Sequence, residues 1–332
     1  GDPRAVSFTG KRSRTYVGTL TSTGDITIMA LDNKTGELES VVLAKRFEKD
    51  DHANPSVMVR EDGRIMVFYS KHAGMAIFLA VSKNPEDISS FEKPQRLDLN
   101  PHMHPQARYC YPNPIQTEGK LFMFWRGENW KPTVSQSEDG GKTWTKGRIA
   151  FSADGANGGN RPYTKYAVAT SGGIHMAVTD GHPRNEPTNS IYYSKLKDGV
   201  FYSADGRVIA DLEIAPLRPK AADRVHDGSG EKGRAWIWDV TEDSSGHPVL
   251  VYAVLPTEKD HRMHYARWIG KEWDTHETTK VGGWFPQTKS GKRESEPHYS
   301  GGAILDHEDP SIVYISRRVN GVFEMERWQT AD

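Results

Sequence analysis

The feature that most limits what this chain can fold into is a recurring pair of short β-type runs joined by a Gly-, Asp- or Asn-containing turn. The run Asn54-Pro-Ser-Val-Met-Val-Arg-Glu-Asp-Gly-Arg-Ile-Met-Val-Phe-Tyr overlays on Asn113-Pro-Ile-Gln-Thr-Glu-Gly-Lys-Leu-Phe-Met-Phe-Trp-Arg. The same shape returns at residues 165–179, 238–252 and 301–315, with a weaker copy near Tyr16. No stretch longer than about ten residues keeps a helical period of apolar residues, so the chain reads as all-β. Copies about 40 to 70 residues apart, each a small antiparallel meander, read as propeller blades. Dividing 332 residues by about 47 per blade predicts a seven-bladed β-propeller of four-stranded antiparallel blades. Six copies are visible, and the seventh is inferred from length alone. Pro and Gly are spread evenly, which leaves no interdomain linker and predicts one propeller domain over 1–332.

Residues 137–144 fit the Asp-box pattern S-x-D-x-G-x-T-W, a turn between outer strands of a blade. Asp139 is expected to accept backbone N–H groups within that turn while Trp144 packs beneath it. This motif specifies a fold element and no chemistry. With 43 Lys plus Arg against 44 Asp plus Glu, the chain lacks the basic excess of a general nucleic-acid binder. No apolar run approaches the ~20 residues that cross a bilayer. A single cysteine, Cys110, excludes an internal disulfide. The first residues lack a signal-type apolar stretch, so an export signal is expected to have been removed already.

Overlaying the copies aligns two polar columns. Two positions before the anchor Asn54 stands His52, and the equivalent positions hold Tyr111, Tyr163, Trp236 and Tyr299. The shared register predicts that these five line one central surface. Packing between blades would also place aromatics in register, although buried phenol and imidazole tips then need partners. Just past each second run lie His72, Arg126, and His182 with Arg184; Arg317 and Arg318 follow in the last copy. Cations repeated where loops converge suit an anionic ligand, above all a carboxylate met by an arginine fork. His102, His104 and Cys110 offer zinc-type ligands within nine residues. Asp51, Asp180 and Asp239 offer oxygen ligands for calcium, though without an EF-hand spacing. A structural calcium or zinc ion is therefore left open, and no cofactor is required for the chemistry below.

The segments Asp50-Asp-His-Ala-Asn-Pro-Ser, Tyr111-Pro-Asn-Pro, Phe124-Trp-Arg-Gly-Glu-Asn-Trp-Lys-Pro-Thr and Thr179-Asp-Gly-His-Pro-Arg-Asn-Glu-Pro-Thr-Asn-Ser-Ile-Tyr resemble the BNR-repeat propeller family of carbohydrate-active proteins. That group contains ulvan lyases (polysaccharide lyase families 24 and 25), rhamnosyl-glucuronate lyases, a rhamnosidase family and proteins of no known activity. The resemblance runs from Tyr16 to Trp328. It implies a seven-bladed propeller that cleaves rhamnose–glucuronate linkages of an anionic polysaccharide by β-elimination; the chain is further expected to be secreted or periplasmic and monomeric. It also implies that His52 and His72 form the family's histidine pair and that Tyr111 or Tyr109 is its tyrosine. Arg126 and Arg184 match the family's arginines. The internal overlay favours Tyr111, level with His52, and leaves Tyr109 with Tyr163, His182, Trp236 and Tyr299 as substrate-binding candidates. The family's ulvan lyases hold a structural zinc through histidines and a cysteine; here that would draw on Cys110, at a spacing that does not match.

The residue types fit this chemistry on their own terms. Removing the C5 proton of a uronate needs its carboxylate charge neutralised, because the intermediate resembles an enolate dianion. Arg126 would supply that stabilisation, helped by Arg184. A base takes the proton and an acid protonates the departing O4; His52 and Tyr111 divide these roles, or His52 performs both, while His72 orients or binds. Two other readings stand beside the lyase: an α-L-rhamnosidase on the same linkage, and a non-catalytic carbohydrate-binding propeller. A sialidase would need three arginines on one carboxylate and a Tyr–Glu nucleophile pair, which the sequence does not assemble.

Overall fold

Each β-type run becomes a strand because its apolar residues are β-branched or aromatic and its ends carry turn residues. Between Thr117 and Lys120 the hairpin is closed by Glu118 and Gly119, both left-handed at φ 51° and 72°, the backbone of a tight two-residue turn. At the equivalent turn Gly63 adopts φ 79° while the Asp62 carboxylate accepts the Arg64 amide. A computed structural model describes residues 5–100, 108–154, 159–257, 260–281 and 302–330.

The chain divides into two compact units, residues 1–150 and 151–332. The first holds three antiparallel meanders of four strands each. Sheet 1 runs Ala5–Thr9, Ser13–Leu20, Ile26–Asp32, Leu38–Ala44. Sheet 2 runs Ser56–Val59, Ile65–Tyr69, Ile77–Val81, Gln95–Leu97. Sheet 3 runs Cys110–Thr117, Lys120–Arg126, Pro132–Ser137, Arg148–Ile149. In the second unit, sheet 4 opens with Thr164–Val168, Ile174–Thr179 and Ile191–Lys197 and continues to six strands. Sheet 5 comprises Arg234–Glu242, Pro248–Thr257, Asp260–Trp268 and Trp273–Lys280. Sheet 6 comprises Ala303–Leu305, Ile312–Val319 and Val322–Gln329.

Four of the sheets are the expected four-stranded antiparallel meanders, sheet 4 has six strands and sheet 6 three, and the described residues form six sheets where length arithmetic predicted seven. The six sheets coincide with the six copies visible in the sequence. Length was a poor guide because sheet 4 is enlarged: its strands reach from residue 164 to 226, and Asp223–His226 pairs back onto Ile191–Lys197. That extension absorbs the chain assigned to another blade.

Within each unit the sheets cover one another's faces. Met58, Phe68 and Leu79 of sheet 2 share a core with Leu121, Met123 and Trp125 of sheet 3, and Tyr16 and Ile28 of sheet 1 pack with Val57 and Val67. The middle strands Ile65–Tyr69 and Ile174–Thr179 are buried along their whole length; the first is apolar up to its closing tyrosine, while the second carries two buried polar residues, His175 and Thr179. The Asp-box turn forms as expected: Asp139 accepts the amides of Lys142 and Thr143 at 3.0 and 2.9 Å, and the Trp144 indole donates to Gly141 O. Among the described residues no helix is long and apolar enough to cross a membrane.

Sheets 4 and 5 are tied by a buried polar network. His175 exchanges hydrogen bonds with the Tyr193 hydroxyl at 2.7 Å and the Glu242 carboxylate at 2.8 Å, and Glu242 also accepts the Thr170 amide. Burial opposes the charge on Glu242, but these hydrogen bonds outweigh it and hold the carboxyl at about 2, below its ordinary 4.5. A carboxyl depressed in the folded state contributes stability above its unfolded pKa and loses it as pH falls toward the folded value. Glu242 should therefore contribute about 3 kcal/mol at neutral pH, declining as pH drops from about 5 to 2. Melting curves across that range should show the loss in the native protein and a flattened acid limb in Glu242→Gln. An unchanged acid limb would remove Glu242 from this role.

Candidate active site

Four loops and strand ends of the first unit bring His52, His72, Tyr111 and Arg126 together. His52 lies in the single turn Asp51–Ala53 that leads into Ser56–Val59, and the Asp50 carboxylate caps this turn by accepting the His52 amide at 2.9 Å. His72 follows the second strand of sheet 2, its amide donating to Glu48 Oε2 at 2.5 Å. Tyr111 owes its position to a β-bulge. Phe124 pairs with Asn113 and Arg126 with Cys110, so Tyr111 and Pro112 stand opposite Trp125 alone. The bulge puts Tyr111 at φ 55°, uncommon for an aromatic residue, and turns its ring out of the sheet register. Arg126 ends the next strand, where Gly127 is required: a Cβ there would lie 2.4 Å from Trp125 Nε1 and 2.5 Å from Thr133 Oγ1. The following turn holds Asn129 and Trp130 at φ 49° and 62°.

The geometry is compact. The imidazoles of His52 and His72 stack with centroids 3.7 Å apart and planes 3° from parallel, and His52 stacks on Tyr111 at 5.1 Å. Asp50 grips both imidazoles, Oδ1 lying 2.5 Å from His52 Nδ1 and Oδ2 2.9 Å from His72 Nδ1. Burial opposes ionisation of Asp50, yet the hydrogen bonds from the His52 amide and both rings outweigh it and hold the carboxyl well below the usual range. The Arg126 guanidinium lies 4.8 Å from the centroids of both Tyr111 and Trp130. Its Nη2 reaches His72 Nε2 at 3.4 Å and Cys110 Sγ at 3.3 Å. In such an arrangement the cation, oriented by two aromatic faces, can bind a carboxylate, and the adjoining imidazoles or phenol can move a proton next to it.

Asp50, His52 and His72 also bring three metal-type donor atoms within 4.8 Å of one another. Their geometry does not fit an ion. A metal ~2.0–2.1 Å from each imidazole nitrogen must lie near both ring planes, and two parallel stacked rings share no such point. For the zinc set, His102 and His104 lie outside the described residues, while buried Cys110 has the Arg126 cation against its sulfur. For calcium, Asp51 is exposed, Asp180 accepts from the Ser190 amide, and Asp239 accepts from the Leu305 amide and pairs with His307.

Other sequence candidates divide. Tyr109 is placed in the core rather than at the site: it is 1% exposed, its hydroxyl accepts the Leu99 and Asn100 amides and donates to Asp98, and burial raises its pKa. In the second unit Tyr163, His182 and Trp236 meet, with centroids 4.7 to 5.8 Å apart, but Trp236 is buried within the core of sheets 5 and 6. Arg184 is exposed beside this cluster, its amide donating to His182 Nδ1. Arg317 lies within the second strand of sheet 6 and pairs with Glu326, and Arg318 donates to Gly321 O. Tyr299 lies outside the described residues. Sequence reasoning missed Asp50 and Trp130. Both stand in segments singled out for other residues, and only spatial contact separates Asp50 from neighbouring Asp51, or Trp130 from the chain's other tryptophans.

Comparison with known proteins adds the following. The sequence profile described as "BNR repeat-containing family member" matches residues 14–281. No curated protein matches the chain. A polysaccharide lyase of the PL25 ulvan lyase family superposes with a TM-score of 0.74 at 18% identity, covering 99% of this chain and 80% of that one. The same kind of enzyme bound to -[GlcA(1-4)Rha3S]- gives 0.73 at 17% identity with equal coverage. The polysaccharide lyase Uly1 gives 0.56 at 11%, covering 100% and 81%. At such identities the likeness establishes a shared fold.

The two tyrosines at the start of sheet 3 should respond unequally to loss of the hydroxyl. Tyr109→Phe should cost about 1–3 kcal/mol, because two amides and Asp98 lose a buried partner. Tyr111→Phe, at a half-buried position in the bulge, should cost less than Tyr109→Phe. Chemical denaturation of both variants checks this, and equal losses would contradict the placement.

Proposed function

The chain belongs to the BNR repeat-containing family, and from that footing we propose that it is a polysaccharide lyase cleaving a rhamnose- and glucuronate-containing polymer by β-elimination at the uronate. The observation that supports this reading most is the Arg126 guanidinium, held between Tyr111 and Trp130 and adjoining the His52–His72 stack. A uronate carboxylate on that cation would place C5 and O4 near an imidazole and a phenol at once. The Arg126 fork stabilises the charge that develops on the carboxylate as the C5 proton leaves. The electron pair of the C5–H bond forms the C4–C5 double bond, the C4–O4 bond breaks, and O4 leaves with a proton. The products are a 4,5-unsaturated uronate and a new sugar end.

His52 and Tyr111 supply the two proton positions. Their rings stack against each other, with centroids 5.1 Å apart. That arrangement suits glucuronate, in which H5 and O4 lie on the same face of the ring, so that both proton transfers come from one side. Tyr163, His182 and Arg184 are retained as candidates for binding more distant sugars.

Ulvan and arabinogalactan or gum side chains, each incubated with the protein, should distinguish the substrates by ultraviolet absorbance of the unsaturated uronate. New reducing ends without that absorbance would replace the lyase with a hydrolase, and binding without cleavage would leave a carbohydrate-binding protein. With the active polymer, His52→Ala and Tyr111→Phe should each lose at least ~10²-fold in turnover. The double variant should lose far less than the product of the two, since groups in one proton-transfer sequence are not additive. Arg126→Lys should lose most activity although charge is kept, because an ammonium cannot reproduce a two-point clasp. Native turnover in that variant would take Arg126 out of the neutralising role.

A further inference from the structure

We propose that Asp50 is a positioning residue that locks both His52 and His72 in the Nδ1–H tautomer, leaving His52 Nε2 as the proton-transfer atom and His72 Nε2 as a rest for Arg126. The carboxylate faces Nδ1 of each ring with a different oxygen, at 2.5 and 2.9 Å. An ionised carboxylate can only accept, so both Nδ1 atoms must donate. A second observation reaches the same tautomer for His72 from the other side of the ring. Arginine has donors only, so the 3.4 Å contact between Arg126 Nη2 and His72 Nε2 requires a lone pair on Nε2 and the hydrogen on Nδ1. For His52, Asp51 Oδ1 at 3.0 Å from Nδ1 adds another acceptor.

The carboxylate is itself fixed, because it caps the turn through the His52 amide. One side chain thus ties two loops, 20 residues apart in sequence, to the same turn and sets their rings parallel. The two histidines then differ in what their far nitrogens meet. His72 Nε2 is taken by Arg126, so this ring orients the guanidinium. His52 Nε2 hydrogen-bonds no described residue and lies on the ring stacked against Tyr111, open to a substrate proton. The groups against the rings are Asp50 and Asp51 at Nδ1, Arg126 at His72 Nε2, Tyr111 stacked on His52 and Trp130 edge-on to His72, while Glu48 accepts the His72 backbone amide.

The catalytic consequence rests on the lyase reading, whereas the tautomers do not. Histidine 15N NMR of the native protein, at a pH where the rings are neutral, should show the Nδ1–H pattern for both residues, assigned through His52→Gln and His72→Gln. Asp50→Asn places an amide that both donates and accepts against the rings, and should shift at least one to the Nε2–H form. Turnover should fall ~10²-fold or more with little change in KM, as for other orienting carboxylates, while the melting temperature stays near native. Nε2–H rings in the native protein would overturn the proposal, as would Asp50→Asn with unchanged tautomers and turnover. If that variant does not fold, the native spectrum alone decides. If the native protein yields no unsaturated product, the lyase reading falls, and the spectrum still tests the lock.

Discussion

A four-stranded meander has two apolar faces and cannot be stable until both are covered. This constraint shapes the rest of the structure. In the first unit, sheet 2 is covered by sheet 1 on one face and sheet 3 on the other. In the second, sheet 5 shares cores with sheets 4 and 6. The side chains of its middle strand, such as Val249, Leu250, Val251 and Tyr252, are almost wholly buried. Because each meander presents the same ends of its strands, stacking the sheets gathers equivalent loops. In the first unit it sets the approach to sheet 2 beside the bulged start of sheet 3, bonded directly by Ser56 Oγ to Pro112 O at 2.5 Å.

That packing supports local strain. Tyr111, Asn129 and Trp130 all adopt left-handed backbone conformations, which cost of order 1–3 kcal/mol each for residues other than glycine. Tyr111 and Trp130 face the Arg126 guanidinium, and Asn129 lies in the same turn as Trp130. A relaxed strand would keep Tyr111 in sheet register and would not bring its ring and that of Trp130 onto the guanidinium. The strain is tolerated because Trp125, Phe124 and Tyr109 behind it are almost fully buried, and Trp125 also donates to Asn100 at 3.0 Å.

Charge at the site follows the same economy. Arg126 is matched by aromatic faces and the His72 and Cys110 acceptors, while Asp50 is satisfied by an amide and two imidazoles. Neither neutralises the other directly. The anion holds the two rings, and in the proposed lyase reading the cation would meet the substrate carboxylate.

By itself the sequence determined the strands, their turns and the number of repeats, because period-2 runs, Gly-Asp turns and the Asp-box act locally. The two polar columns were legible for the same reason: His52 with Tyr111, and His72 with Arg126, hold equivalent places in successive copies, and the first unit brings all four together. Tertiary structure decided the rest. Asp50 and Asp51 are chemically identical neighbours, and only the extended backbone of the capping residue aims Asp50 at both histidines. Tyr109 and Tyr111 are separated by a bulge that buries one and releases the other. Trp130 matters through a left-handed turn that no local signal announces, and the blade count was misled by strands added to sheet 4. In each case the decision lay in which groups distant in the chain came within a few ångströms, a property of packing that composition and spacing do not contain.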